Sequence, residues 1–344
     1  MRIFFYVYPS AFQNPGGGEI QLLKTREYLQ KRGIETHLYN PWQDKLSKGD
    51  ILHVFGSVKY CHGLIRTAKE VGARVVLSTI CWYDWRSAVY TYPKIKQRTL
   101  NILRFLAKWT FPGFPSMRRE MIIFSDLLMP NSEAEAGQLV RFFGADRNKI
   151  KVIPNGVDLA YEKADPKIFS RRFDIQDFLL CVGRIEPRKN QLALIRAHRG
   201  MDRPLVVIGE AVSRYQDYEA ECRRAAAKNV QFIGPLPNDS ELLRSAYAAC
   251  HTFALPSWFE TPGLAALEAG LAGARLVITD GGSTKEYFAQ EAYYCDPSSI
   301  SDIRSQLNRS LQREKNGRLQ GRIRENYSWE KVAEEVERGY QRLI

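Results

Sequence analysis

The sequence has no apolar run approaching the about 18 residues that a membrane-spanning helix needs, which excludes a bundle of spanning helices. The stretch from Met1 to Pro9 is too short for a leader's apolar core and shows no small-residue cleavage site, so no secretory leader is expected. Cysteine is scarce. Cys61, Cys81, Cys181, Cys222, Cys250 and Cys295 are scattered, none forms a C-x-x-C pair, and four lie in or beside apolar runs. Reduced, mostly buried thiols and a cytoplasmic location are expected. The five histidines form no visible cluster, and His53, inside a strand pattern, reads as a core histidine.

Several motifs are missing as well. Gly16-Gly17-Gly18 is not continued into G-x-G-x-x-G, and no G-K-[ST] occurs, which counts against dinucleotide-dependent dehydrogenases and P-loop kinases. H-E-x-x-H and G-x-S-x-G are absent, which counts against zinc proteases and serine hydrolases. No D-x-D pair offers itself to a divalent metal on a diphosphate, so no metal and no cofactor are expected.

At about 150 residues per domain, 344 residues make two domains. Short apolar runs alternate with helical stretches in both halves, which predicts an α/β chain with two Rossmann-like, doubly wound parallel sheets. Strands are expected at 3–8, 36–39, 51–55, 74–79, 127–131 and 151–155, and again at 178–184, 204–209, 230–234, 252–257, 275–280 and 292–295. Helices are expected near 17–32, 62–72, 132–143, 187–199, 215–228 and 239–249 and from Pro262. The predicted organisation is an N-terminal domain over 1–160 with an insertion at about 85–124, and a C-terminal domain over 173–327. Between them lies a charged linker, Asp158–Arg172. A helix over 328–344, capped by Ser328, is expected to pack back on the N-terminal domain. Ligands of such sheets sit at the carboxyl ends of the strands, so a cleft between the domains is the expected site.

Three segments lie at those strand ends. Pro15-Gly16-Gly17-Gly18-Glu19 follows the first strand and opens a helix, where Gly17 and Gly18 let backbone amides approach an anion; a plain flexible turn is the competing reading. Gly183-Arg184-Ile185-Glu186-Pro187-Arg188-Lys189-Asn190 ends the first strand of the second half. There Arg184 and Lys189 offer two cations suited to a diphosphate, against a plain solvated turn. In the third, Glu260-Thr261-Pro262-Gly263-Leu264 through Glu268, Thr261 reads as an N-cap and Pro262 as the first helical residue, with the amides of Gly263 and Leu264 facing an anion. Carboxylates beside an anion site suit hydroxyl-rich ligands such as a sugar or ribose. Glu268 sits among apolar and small neighbours, so its burial calls for a partner.

These segments, with Pro154–Asp158, Gly281–Phe288 and Tyr293–Pro297, resemble in order the motifs of glycosyltransferase family 4, the retaining group with the GT-B fold, over nearly the whole chain. The resemblance implies transfer of a sugar from a nucleotide-diphosphate sugar to an acceptor hydroxyl with retention and without an essential metal. Cell-surface polysaccharide, lipopolysaccharide or glycolipid synthesis is the expected setting. It implies Arg184 and Lys189 on the diphosphate, Glu268 on the ribose, Glu260 at the donor sugar, and Gly17 and Gly18 approaching the donor from the facing domain. Base contacts are expected at Gly234, Pro235 and Leu236. Two departures stand out: Pro262 where the family often has Phe, and no His in Ser78–Asp84, where Cys81 or Trp82 would line that wall. The competing readings are an epimerase or phosphorylase of the same fold, or a non-catalytic nucleotide-sugar or membrane-binding module. The basic insertion argues against the first, chain length against the second, and the intact Glu260, Glu268, Arg184 and Lys189 against the third.

Charge is uneven. Residues 1–170 carry 25 Lys and Arg against 15 Asp and Glu, the remainder 25 against 23. The insertion concentrates it, with Arg86, Lys94, Lys96, Arg98, Arg104, Lys108, Arg118 and Arg119 against Glu120 alone. Helical spacing puts Ile95, Ile102, Leu103, Leu106 and Trp109 on one arc and Lys94, Arg98, Arg104 and Lys108 opposite. That pattern predicts either a basic amphipathic helix on an anionic membrane, serving a glycan or lipid-linked acceptor, or a surface helix whose apolar face packs on the N-terminal domain. No nucleic-acid-binding signature accompanies it, and nucleic acid is not expected as a partner.

Overall fold

The computed structural model describes every residue except 1, 14, 91–94, 112, 262, 313–316 and 344. Two compact units emerge. The first comprises Met1–Trp85, Leu100–Gly156 and Trp329–Ile344, the second Arg86–Thr99 and Val157–Ser328.

In the first unit, β1 (Ile3–Tyr6), β2 (His37–Leu38), β3 (Ile51–Phe55), β4 (Arg74–Ser78) and β5 (Leu127–Leu128) form one parallel sheet in the order β2-β1-β3-β4-β5. β1 and β3 are fully buried, as expected of strands covered on both faces. Around them run α1 (Gly17–Lys31), α2 (His62–Glu70), α5 (Met117–Phe124) and α6 (Glu133–Phe143), with α4 (Ile95–Thr110) from Leu100 onward; α3 (Trp85–Tyr90) from Arg86 and the start of α4 belong to the second unit. Ser132 caps α6 by accepting the Glu135 amide, and Gly144 ends it in the left-handed region.

In the second unit α7 (Pro166–Phe173) precedes β6 (Leu179–Val182), α8 (Gln191–His198), β7 (Leu205–Ile208), α9 (Gln216–Ala225), β8 (Val230–Ile233) and α10 (Glu241–Ala249). There follow β9 (Thr252–Leu255), α11 (Leu264–Leu271), β10 (Arg275–Thr279), α12 (Thr284–Phe288), β11 (Tyr293–Cys295), α13 (Ile300–Gln312) and α14 (Arg318–Asn326). The parallel sheet runs β11-β10-β9-β6-β7-β8. From β6 the chain builds outward through β7 and β8, then returns to β9 on the other side of β6. That reversal makes the carboxyl ends of β6 and β9 the switch point where such sheets bind ligands. The last helix, α15 (Trp329–Gln341), belongs to the first unit. Its Tyr340 hydroxyl lies 2.7 Å from His53 Nδ1, while Ser78 Oγ lies 2.9 Å from Nε2. Burial holds the His53 pKa down at about 3, so this histidine is a neutral core residue.

Four sequence expectations change. Residues 151–155 are extended beside β5, with the Lys151 and Ile153 amides on Leu128 and Pro130 carbonyls, but Pro154 has no amide to continue a ladder. The charged stretch 158–172 is no open linker: Asp165 caps α7, Pro166 opens it, and Tyr161 and Phe169 are buried in the second core. The helix expected over 187–199 is broken at Asn190, which takes the left-handed conformation between a 3-10 turn (Pro187–Lys189) and α8. The helix expected from Pro262 starts at Leu264, with Gly263 rather than Thr261 as its N-cap.

Candidate active site

The switch point of the second unit holds a compact charged cluster. The loop after β6 brings Lys189 Nζ to 2.7 Å from Glu260 Oε1, and the loop after β9 carries that glutamate. Arg188 lies 3.6 Å from the same oxygen and 2.9 Å from Glu186. Glu260 is only 4% exposed. Burial alone would raise its pKa, but Lys189 and Arg188 hold it below the usual carboxylate range, so it is ionised. Burial pulls Lys189 below the usual lysine value, with Glu260 opposing, while Glu260 and Glu186 lift Arg188 against its own burial.

The backbone holds Glu260 as firmly. Its amide donates to Gly281 O at 3.2 Å, and its carbonyl accepts the Ser283 amide at 2.9 Å, so Glu260 bridges Gly282 in parallel. Gly282 has φ of 94°, and a Cβ there would fall 1.9 Å from the Glu260 carbonyl oxygen; only glycine permits this approach. Trp258, two residues earlier, donates its amide to Arg188 O at 2.9 Å.

Glu268 occupies a separate place. It lies inside α11, 5% exposed, and accepts the Tyr247 hydroxyl at 3.0 Å. Burial lifts its pKa to about 7, against the opposing hydrogen bonds of Tyr247, Tyr161 and Asn238. The two glutamates, eight positions apart in sequence, therefore differ in charge state near neutrality. Gly263 and Leu264 open α11 beside the Glu260 side chain; a Cβ on Gly263 would sit 3.1 Å from Glu260 Oε2. Pro262 lies outside the described residues.

Arg184 is not drawn into this cluster: its side chain is exposed and makes no ion pair among the described residues. Arg188, passed over in the sequence, takes the place beside Glu260. Gly234 and Pro235 are exposed and Leu236 is half-buried in the loop that follows β8. Among the described residues, no group of three or more His, Cys, Asp or Glu side chains could hold a metal ion. None of the six cysteines is in a disulfide, and all are buried.

In the first unit, Gly17 and Gly18 open α1, and the Glu19 carboxylate accepts the Gly16 amide at 2.7 Å. A Cβ on Gly18 would meet Ile80 Cδ1 at 3.3 Å. Ile80 has φ of 42°, rare for a β-branched residue. The loop around it is fastened by buried Glu135, which accepts the Cys81 amide at 2.7 Å, the Asn131 amide at 2.9 Å and the Thr79 hydroxyl.

The basic insertion follows neither alternative whole: Ile102 and Phe105 are half-buried, with Phe105 packed on the first core, while Ile95 and most of the remaining apolar arc stay exposed. Leu100, Leu103, Leu106 and Trp109 of α4 are exposed, followed by Phe111 at 69% and Phe114. Lys108 is buried instead, its Nζ 4.5 Å from the Phe143 ring centre and 3.2 Å from Ser116 Oγ. Its aliphatic stem can bury while the ammonium finds a ring face and a hydroxyl. Arg118 is half-buried on the Ser57 carbonyl, Arg119 and Arg98 are half-buried, and Arg104 is exposed. Lys94 lies outside the described residues. No helix among the described residues is long and apolar enough to cross a membrane.

Two doubly wound parallel sheets of this kind are the GT-B arrangement. Sucrose-phosphate synthase from Thermosynechococcus elongatus shares it at 14% identity, with 100% of this chain and 99% of that one covered at a TM-score of 0.79. Anabaena HepE, solved in complex with UDP and glucose, shares it at 16% identity, 99% of each chain covered and a TM-score of 0.72. Residues 165–328 match the glycosyl transferases group 1 family and residues 15–161 match Glycosyltransferase Family 4. The chain belongs to glycosyltransferase family 4. Among curated relatives, D-inositol 3-phosphate glycosyltransferase of Nocardia farcinica is 32% identical over 180 residues, 48% of this chain and 40% of that protein. The enzyme of the same name from Rhodococcus jostii is 30% identical over 258 residues, 65% and 54% respectively. The chain spans about half the length of these curated relatives.

Proposed function

We propose that this protein transfers a sugar from a nucleoside-diphosphate sugar to an acceptor hydroxyl with retention of anomeric configuration and without a metal, in cell-surface polysaccharide or glycolipid synthesis. The observation that carries this reading is the buried Lys189–Glu260 pair at the switch point of the second sheet. In the transfer, the bond between the anomeric carbon and the β-phosphate oxygen breaks, and the nucleoside diphosphate departs with the electron pair. The acceptor oxygen bonds to the anomeric carbon, and its proton passes to the phosphate. The leaving group gains charge, and fixed cations stabilise such charge best where water is scarce. Lys189 and Arg188 supply buried cations, and Arg184 an exposed one for the outer phosphate. Ionised Glu260 accepts hydroxyls of the donor sugar; Glu268, with the tyrosine hydroxyl beside it, faces the ribose. The loop at Gly234–Leu236 serves the base.

The exposed apolar ridge of α4 and its continuation to Phe114, with Lys96 and Arg104 in the same exposed stretch, suits an anionic membrane surface on its cytoplasmic side. A lipid-linked or membrane-associated acceptor fits that placement. Flotation with anionic and with neutral liposomes tests it, and absence from both disproves it.

Thermal unfolding with UDP, GDP, ADP, CDP and dTDP tests the donor site; HepE, bound to UDP, makes UDP the first to try. A nucleotide at about 100 times its Kd adds about 2.7 kcal/mol to the folded state. One selective response identifies the base, and no response from any of the five removes the nucleotide-sugar reading.

A further inference from the structure

Segment 86–90 grips the Glu260 loop from two sides. Arg86 donates from Nη1 to Asp280 Oδ1 at 2.7 Å, and its second terminal nitrogen lies 3.9 Å from Asp296. The guanidinium also bears on the Gly281 backbone, where a Cβ would lie 3.2 Å from Nη1. One turn on, the Tyr90 ring stacks on Trp258 with centroids 3.5 Å apart and planes within 4°. Asp280 and Gly281 lead into Gly282, which bridges Glu260; Trp258 is two residues ahead of Glu260. One short helix thus holds both chains of the bridge that fixes this glutamate.

The forces are of different kinds and reinforce one another. The Arg86 side chain is 19% exposed, so its charge-assisted hydrogen bond is partly shielded from water. The aromatic stack requires the Trp258 ring to keep one orientation. Trp258 in turn hangs on the Arg188 carbonyl, next to Lys189. A shift of α3 therefore reaches the carboxylate, its backbone bridge and the loop of its lysine partner together.

We propose that Arg86 and Tyr90 are positioning residues that hold Glu260 in its reactive placement. They act through Trp258 and the Asp280–Gly282 turn and touch neither nucleotide nor phosphate. The inference rests on the proposed transfer reaction only for its catalytic consequence; the clamp itself is a property of the second unit.

The test has two arms on Arg86→Ala, Arg86→Lys, Tyr90→Ala and Tyr90→Phe. Hydrogen exchange reads the clamp directly at the Glu260 and Ser283 amides. Both alanine variants should exchange there about tenfold faster or more, while Tyr90→Phe, which keeps the stack, stays near wild type. In the transfer assay kcat should fall about tenfold or more in the alanine variants, with nucleoside diphosphate affinity within about twofold. Tyr90→Phe should restore kcat and Arg86→Lys should restore part of it. Unchanged exchange in both alanine variants overturns the inference whatever the assay gives. Faster exchange with wild-type kcat overturns the positioning role. A wild-type protein that binds and turns over no nucleotide sugar overturns the proposed function instead, and exchange still decides the clamp.

Discussion

Each sheet carries a buried glutamate near its strand ends, and the two are held by different groups. Glu135 of the first unit is held by the amides of Cys81 and Asn131 and the hydroxyl of Thr79. Glu260 of the second unit is held by the ammonium of Lys189 and the guanidinium of Arg188. Fixed amides cannot leave, so the first arrangement is a rivet: it fastens the loop after β4 to the start of α6. A lysine at the end of a flexible stem can exchange one anion for another. Under the proposed function, the same chemical group, equally buried, fastens a loop in one sheet and serves the donor sugar in the other.

Lys189→Ala should have the largest effect on that contrast. Turnover falls about 100- to 1,000-fold, as when one preorganised charge-stabilising group is lost. The melting temperature should change little by comparison, and steady-state kinetics with a melting curve checks both. Near wild-type turnover would remove Lys189 from the reaction.

Glu135→Ala should do the reverse. It strands two buried amides and a hydroxyl, at about 1–3 kcal/mol for each group that finds no water. Denaturant unfolding should show the loss, while stabilisation by the cognate nucleoside diphosphate, measured below the melting point, persists. A variant as stable as wild type would contradict the rivet.

Glu268 sharpens the comparison through pH. Its folded-state pKa lies near 7, above its ordinary value, because burial favours the neutral acid. The folded state thus binds the proton more tightly than the unfolded state. This contribution is fully present below about pH 4.5 and is lost as pH rises through 7, up to about 3 kcal/mol in all. Glu268→Gln should flatten the fall in stability between pH 5 and 8. An unchanged pH profile would show that Glu268 ionises normally.

The smallest effect belongs to Ile80, whose left-handed backbone costs about 1 kcal/mol. Ile80→Gly relieves the strain but enlarges the unfolded ensemble and removes an apolar side chain, so stability should shift by no more than about 1 kcal/mol. A larger loss would mean that the Ile80 side chain, rather than Glu135, anchors the loop.

Both sheets were legible in the sequence because buried parallel strands are continuous apolar runs, as in Leu179–Val182 and Leu205–Ile208. Helices rich in charge were not: α7 hides one core residue, Phe169, and α13 and α14 two each among basic and polar ones. At the site, Lys189 and Glu260 stood out through their motifs, whereas Arg188 looked like part of a solvated basic turn. Arg86 and Tyr90 carry no local signal, since their partners Asp280 and Trp258 lie more than 160 residues away. The amphipathic pattern of α4 was visible, but not its orientation. Periodicity gives the spacing of a face and not what meets it, and here Phe143 and Ser116 drew Lys108 inward.

The position of α15 bears on how the chain is made. Trp329, Val332, Val336 and Tyr340 are buried, and the helix packs along α1 with Glu337 on Arg32 and Glu335 on Lys151. These residues leave the ribosome only after the whole second unit has been synthesised. Domains usually mature in the order of their synthesis. Here the first unit begins first and finishes last: until α15 arrives, the His53 side of its core stays open. During that interval the nascent first unit presents apolar surface that a chaperone can recognise, while the second unit already has every strand it needs.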